Sequence, residues 1–193
     1  VTVIESQNKI LPSEDIEVSL FAKKCFEQDK IKILTSTTIK NIKSTKSGVE
    51  AEFIDKNGEK HKIKYSRAIV AIGIDANIEK IGLDTVNIKQ DGGVILTDNN
   101  NETSEKGIFA IGDLTGAPWL AHKASHEGIN AVDYISNPNR SNKHNKIIPG
   151  CTYSRPQIAS IGLTEEKAIA KGIKIKKGKF PLLGNGKAIS LGY

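Results

Sequence analysis

Apolar and polar positions change period along this chain, and the changes mark its elements. Val1-Thr2-Val3-Ile4 is a β-rich apolar run with no turn, cap or polar leader before it, so the sequence opens inside a strand. After Pro12 and Ser13, the residues Val18, Phe21, Ala22 and Cys25 recur at helical spacing, which predicts a helix over 13–28 capped by Ser13. The period then shortens to two. Ile31 to Leu34, Ile39 to Lys43, Val49 to Ile54 and Lys60 to Tyr65 read as half-buried strands, with Asp55-Lys56-Asn57-Gly58 as the turn between the last two. Ala68-Ile69-Val70-Ala71-Ile72 is apolar at every position, the pattern of a strand buried on both faces, and Gly73 ends it.

From Gly73 to Thr103 the text turns to Gly, Asn and Asp with short apolar islands, which suggests a crossover into a second unit. Ile108-Phe109-Ala110-Ile111 predicts another strand buried on both faces, closing on Gly112-Asp113. A helix is predicted from Trp119 to Ile135, with Leu120, Ala124, Gly128, Ala131, Val132 and Ile135 on its inner face. Ser136 to Lys146, crowded with Asn, Ser and Lys, is the best linker candidate. The remainder predicts a strand (Gln157 to Ile161), a helix capped by Thr164 and ended by Gly172, and a last strand (Ile173 to Phe180).

Composition narrows the function classes. At 193 residues, 38% hydrophobic and 26% charged, the chain supports one good core. Its net charge of +6 invites a nucleic-acid reading, but the lysines alternate with isoleucine, as in Ile173-Lys174-Ile175-Lys176, and aromatics reach only 5%. That is a solvated lysine-rich surface, with no nucleic-acid partner expected. No apolar run approaches the roughly 20 residues of a membrane span, so no membrane partner is expected either. The two cysteines, Cys25 and Cys151, belong to no Cys/His cluster; neither a disulfide framework nor a metal site is predicted.

The richest segment is Gly107 to Ala124. A carboxylate at the end of a buried strand accepts hydrogen bonds from sugar-like hydroxyls, and Gly112 lets a ligand approach closely because it lacks a Cβ. The first turn of the following helix, Trp119 to His122, offers unpaired NH groups to an anionic or electron-rich edge. Asp113 reads equally as a ligand residue or as an ordinary turn residue.

The whole segment resembles the second flavin-binding motif of the FAD-dependent pyridine-nucleotide disulfide oxidoreductases. Leu120-Ala121-His122-Lys123-Ala124 is similar to the dihydrolipoamide dehydrogenases among them. The resemblance implies that Asp113, beside Gly112, bonds the flavin ribityl region. It implies too that the backbone of Trp119, Leu120, Ala121 and His122 faces the pyrimidine edge, which gives His122 a backbone role rather than an acid/base one. It extends nearly end to end. Val1 to Glu5 resembles the strand whose terminal acid binds the adenosine ribose, implying NAD over NADP; Ile39 falls near the adenine, or is simply core; Gly73 falls where a strand end lies against NAD. Gly73-Ile74-Asp75-Ala76-Asn77 departs from the family's common Gly-Arg-x-Pro. Tyr153-Ser154-Arg155-Pro156-Gln157-Ile158-Ala159 resembles the entry to the dimer-interface domain.

The implied fold is α/β: partial Rossmann-like FAD- and NAD(P)-binding domains, then the start of an α+β dimerisation domain. The implied divisions are 1–73 for the NAD-binding part, 74–146 for the second part of the FAD-binding and central region, and 147–193 for the interface domain. Gly-x-Gly-x-x-Gly, Cys-x-x-x-x-Cys and a His-Pro segment are absent, so the chain reads as an internal fragment with no catalytic residue of its own, inactive alone. The resemblance implies a parent that reoxidises protein-bound dihydrolipoamide through a disulfide and FAD to NAD. It would be a homodimer serving the lipoyl domains of 2-oxo acid dehydrogenase complexes, in the bacterial cytoplasm or the mitochondrial matrix. The alternatives are a glutathione or mercuric reductase type of enzyme, or a truncated noncatalytic binding module.

Overall fold

The alternating stretch folds as it reads. In the computed structural model, which describes residues 1–139 and 147–192, strands β1 (Thr2–Ile4) and β2 (Lys32–Leu34) pair in parallel, with helix α1 (Ile16–Gln28) between them in the chain. Strands β3 (Thr38–Thr45), β4 (Gly48–Ile54) and β5 (Lys60–Tyr65) follow as an antiparallel meander. Ala51 and Phe53 of β4 are buried, while Lys60, Lys62 and Lys64 of β5 stay outside. Register is set at both ends. Asp55 Oδ1 accepts from the NH groups of Asn57 and Glu59 across the β4–β5 turn, and a bulge lets Ile39 pair with Phe53 and Asn41 with Glu52.

The first core gathers Ile10, Ala22 and Ile33, with Phe26, Ile31 and Ile158 packed against it. Helix α1 starts at Ile16, three residues later than predicted, and Ser13 lies in the preceding turn. Asp15 takes the N-cap position, but its side chain is spent on another helix. The inner face differs in part from the predicted one: Ala22 is buried as predicted, but Ser19 is buried beside it and Phe21 is exposed. Ser19 can face inward because its hydroxyl donates to the Ile10 carbonyl at 2.6 Å, removing the cost of an unpaired buried group.

Two predicted strands are corrected. Residues 68–72 form no strand, and Ile69 and Ile72 are 94% and 93% exposed. A strand buried on both faces needs neighbours in its sheet and layers above and below, and none of the described residues supplies them. Ile108 to Ile111 likewise contributes a single bridge, Phe109 to Glu102, with Ala110 buried and its neighbours partly exposed. Between them lie the two-residue strands β6 (Gln90–Asp91) and β7 (Val94–Ile95).

Helix α2 (Ala121–Ser136) nearly matches the prediction in extent, and Ala131 of the predicted inner face is buried, but Lys123 and Asn130 are buried too, while Val132 and Ile135 are exposed. The linker candidate begins on the last residue of α2, and its part from 140 to 146 lies outside the described residues. Strands β8 (Gly150–Thr152) and β9 (Ile158–Ser160) then pair antiparallel. Helix α3 (Glu165–Ala170) is capped by Thr164, which accepts from the Lys167 NH, and Gly172 follows it in the left-handed region at φ +69°, both as predicted. The strand predicted over 173–180 is exposed coil, and helix α4 (Gly186–Ser190) ends the described chain.

α1 and α3 exchange caps. Asp15 Oδ1 accepts from the Glu165 NH at 2.9 Å, and Glu166 Oε1 accepts from the Ile16 NH at 3.2 Å, so each helix start is satisfied by the other's carboxylate. Lys177 bridges Glu17 and Glu165 across the same joint, and Ser160 donates to Glu14.

Candidate functional site

Gly112 and Asp113 open a 3-10 turn, Gly112–Thr115, set against the first turns of α2. Gly112 sits at φ +74°, and a Cβ there would stand 3.2 Å from the Ala124 Cβ. Glycine is therefore required twice, by conformation and by the close approach of the helix. Asp113 is exposed, and its carboxylate takes no hydrogen bond from the described residues. At the start of α2 the NH groups of Ala121, His122 and Lys123 likewise have no partner among the described residues. An unengaged acceptor thus stands by unengaged donors at the positive end of a 16-residue helix, an arrangement suited to a ligand with hydroxyls and an electron-rich edge.

Trp119 is partly exposed and borders an open hollow of about 400 Å³ shared with Ile74, Asp75, Gly93 and Val94. Leu120 is half-buried, and its NH donates to the Pro118 carbonyl. The His122 ring lies 2.7 Å from the Pro149 carbonyl through Nε2, which must therefore carry the proton. That bond ties α2 to the segment entering β8, and the His122 NH keeps no partner among the described residues.

Two residues of this site, Lys123 and Glu127, carry no apolar signal, and the sequence reading gave neither a role. Lys123 is 6% exposed, and its Nζ donates to the Gly112 carbonyl at 2.9 Å, the Thr115 hydroxyl at 2.8 Å and the Gly116 carbonyl at 2.8 Å. Glu127, one turn on, pairs with Lys123 at 3.2 Å and accepts from the Gly112 NH at 2.7 Å. The Lys/Glu spacing of four was the available sign, but such pairs are usually solvent-facing.

The second group is looser. Glu5 follows β1, half-buried, and its Oε1 accepts from the Gln7 NH at 2.7 Å and the Ser6 hydroxyl at 3.2 Å, leaving Oε2 without a partner among the described residues. The Glu5 carbonyl accepts from the Thr37 NH, which brings the start of β3, and so Ile39, beside it. Ile39 is half-buried. Gly73 lies apart in exposed coil, where a Cβ would meet nothing within 4 Å.

Away from both groups, Asp55, Glu59 and His61 each bring one ligand atom within 4.8 Å of the others. His61 stacks on Phe53, and its Nε2 lies 2.9 Å from Asp55 Oδ2. That bond is the largest cause holding the Asp55 carboxyl below its ordinary value.

Residues 1–128 match the protein family described as pyridine nucleotide-disulphide oxidoreductase, and residues 148–192 match the dimerisation domain of the same name. The chain is 47% identical over 193 residues to a dihydrolipoyl dehydrogenase of Zymomonas mobilis and 39% identical to one of Bacillus subtilis. Each match covers 100% of this chain and 41% of the relative, so the chain spans about two-fifths of the relatives' length. Among solved structures, LpdA of Mycobacterium tuberculosis superposes with a TM-score of 0.83 at 25% identity, over 100% of this chain and 41% of that one. The flavoprotein disulfide reductase RclA of Escherichia coli, in its Cu(II) complex, shares the fold with a TM-score of 0.85 at 20% identity, over 100% and 43%.

Proposed function

Because this chain belongs to the pyridine nucleotide-disulphide oxidoreductase family, we propose that it is the cofactor-holding stretch of a dihydrolipoyl dehydrogenase, whose redox-active cysteine pair and general base lie outside it. FAD supplies, when bound, the two-electron acceptor between a dithiol and NAD. Gly112 and Asp113 hold the ribityl chain, with the Asp113 carboxylate accepting from its hydroxyls. The backbone at Trp119, Leu120, Ala121 and His122 meets the pyrimidine edge, where the dipole of α2 favours negative charge. Glu5 accepts from the adenosine ribose hydroxyls and repels a 2′-phosphate, so NAD is preferred over NADP. Ile39 and Gly73 lie along the same nucleotide.

The observation that carries this reading is the unengaged Asp113 carboxylate at the unengaged start of α2. The fit is physical: the ribityl chain presents hydroxyl donors, and the pyrimidine edge presents acceptors. Residues 148–192 would make the parent a homodimer, and lipoyl domains of 2-oxo acid dehydrogenase complexes would supply the dithiol. The named relatives are bacterial, and we place the parent with those complexes in a bacterial cytoplasm. A glutathione or mercuric reductase reading is disfavoured by Glu5 and by the Leu120 to Ala124 string.

Asp113→Ala in the full-length protein tests it. Hydrogen bonds to a charged acceptor contribute about 1.5–3 kcal/mol, so FAD affinity should fall by roughly one to two decades with the fold intact. Flavin retained in full after gel filtration, with unchanged circular dichroism, would return Asp113 to an ordinary turn residue.

A further inference from the structure

We propose that Lys123 and Glu127 are positioning residues that clamp the 112–116 loop and so aim Asp113. The inference rests on the flavin reading above and adds two residues to it. One turn apart on α2, they hold both peptide groups of Gly112, Glu127 taking its NH and Lys123 its carbonyl. Lys123 also takes the far end of the loop at the Gly116 carbonyl and its middle at the Thr115 hydroxyl. A loop pinned at its start, middle and end by one ammonium group cannot tilt without breaking several charge-assisted bonds at once.

Stability alone does not explain this choice. A buried ion pair is often matched or bettered by apolar residues of similar volume, because desolvating the charges offsets their attraction. What the apolar replacement lacks is direction. The ammonium has three protons and here faces Gly112 O, Thr115 Oγ1, Gly116 O and Glu127 Oε1, all within 3.2 Å, so its position fixes the backbone that carries Asp113. Lys123 also neutralises Glu127 beneath the loop.

A double-mutant cycle in the full-length protein decides the matter, reading FAD dissociation constants from flavin fluorescence well below the melting temperature, with circular dichroism on each sample. Lys123→Met should weaken FAD about tenfold. Because the clamp acts through Asp113, adding Lys123→Met to Asp113→Ala should weaken binding by no more than about twofold beyond Asp113→Ala alone. Glu127→Gln keeps an oxygen for the Gly112 NH and should hold FAD to within about threefold, while Glu127→Ala should not; this pair decides if Lys123→Met fails to fold. Additive losses, or normal affinity in Lys123→Met and Glu127→Ala while Asp113→Ala is weak, would overturn the clamp and leave the flavin reading standing. Normal affinity in Asp113→Ala would sink the reading itself.

Discussion

The β3–β5 meander and the run at 68–72 are both written in isoleucine, valine and alanine, yet one is a sheet and the other an exposed coil. The meander carries its own partners. Each strand returns through a short turn and pairs with the one before it, so the apolar face of β4 closes over Phe53, which is 3% exposed. The run at 68–72 brings no turn and no neighbour, and Ile69 and Ile72 stand in solvent. Apolar content decides that a segment is to be buried, but connectivity decides whether the burying surface is local or must come from far along the chain.

The comparison breaks most visibly at Phe53. Removing its ring should cost about 3–5 kcal/mol, because a buried aromatic loses transfer energy and leaves a cavity under His61. Urea unfolding of Phe53→Ala reads the cost, and a change below 1 kcal/mol would mean that the meander is held elsewhere. Gly48→Ala should come next. Gly48 lies at φ +148°, and a Cβ would stand 2.2 Å from the Tyr65 carbonyl oxygen, so the strand end must move. A strained position of this kind costs about 1–3 kcal/mol, which the same titration measures.

What the sequence disclosed follows the same division. Period-two alternation and the Asp55 to Gly58 turn placed β3, β4 and β5 because those strands answer to their immediate neighbours. Helix α1 was legible in kind but not in its start, since Asp15 and Glu166 exchange roles with a partner about 150 residues away in the chain. At the candidate site, Gly112, Asp113 and the Trp119 to His122 turn were legible as a motif. Lys123 and Glu127 were not: polar residues on a helix read as its outer face, and here they face inward on backbone acceptors and donors.

The joint between α1 and α3 offers the next test. Asp15→Ala removes the acceptor for the Glu165 NH, and losing a cap of this type costs about 1 kcal/mol. Hydrogen exchange at Glu165 should quicken while the β3–β5 amides keep their protection; equal quickening in both would show the joint and the meander to be one cooperative unit.

Acid should act selectively on the meander. The Asp55 carboxyl is held below its ordinary value by the His61 bond, so its contribution is present above the unfolded value of about 4 and is lost as pH falls through the lower folded value. Between pH 7 and 4, melting temperature at constant ionic strength should therefore fall about as much in Asp55→Asn as in the parent chain. The Asp55 share itself appears below pH 4, where the parent should lose stability that Asp55→Asn has already lost.

The smallest effect is expected where the apolar content is highest. Ile72→Ser should change the stability of this chain by no more than about 0.5 kcal/mol, since a side chain 93% exposed has almost no burial to lose. The same substitution in the full-length protein separates two accounts of the run. If 68–72 becomes a strand buried on both faces there, Ile72→Ser removes most of an isoleucine's burial and sets a hydroxyl in its place, costing about 2 kcal/mol or more. If it remains coil, the cost stays near zero in both. Paired urea titrations of the two lengths give the difference directly, and equal small values would mean that an all-apolar run next to Gly73 is a surface feature of this protein rather than a strand awaiting its sheet.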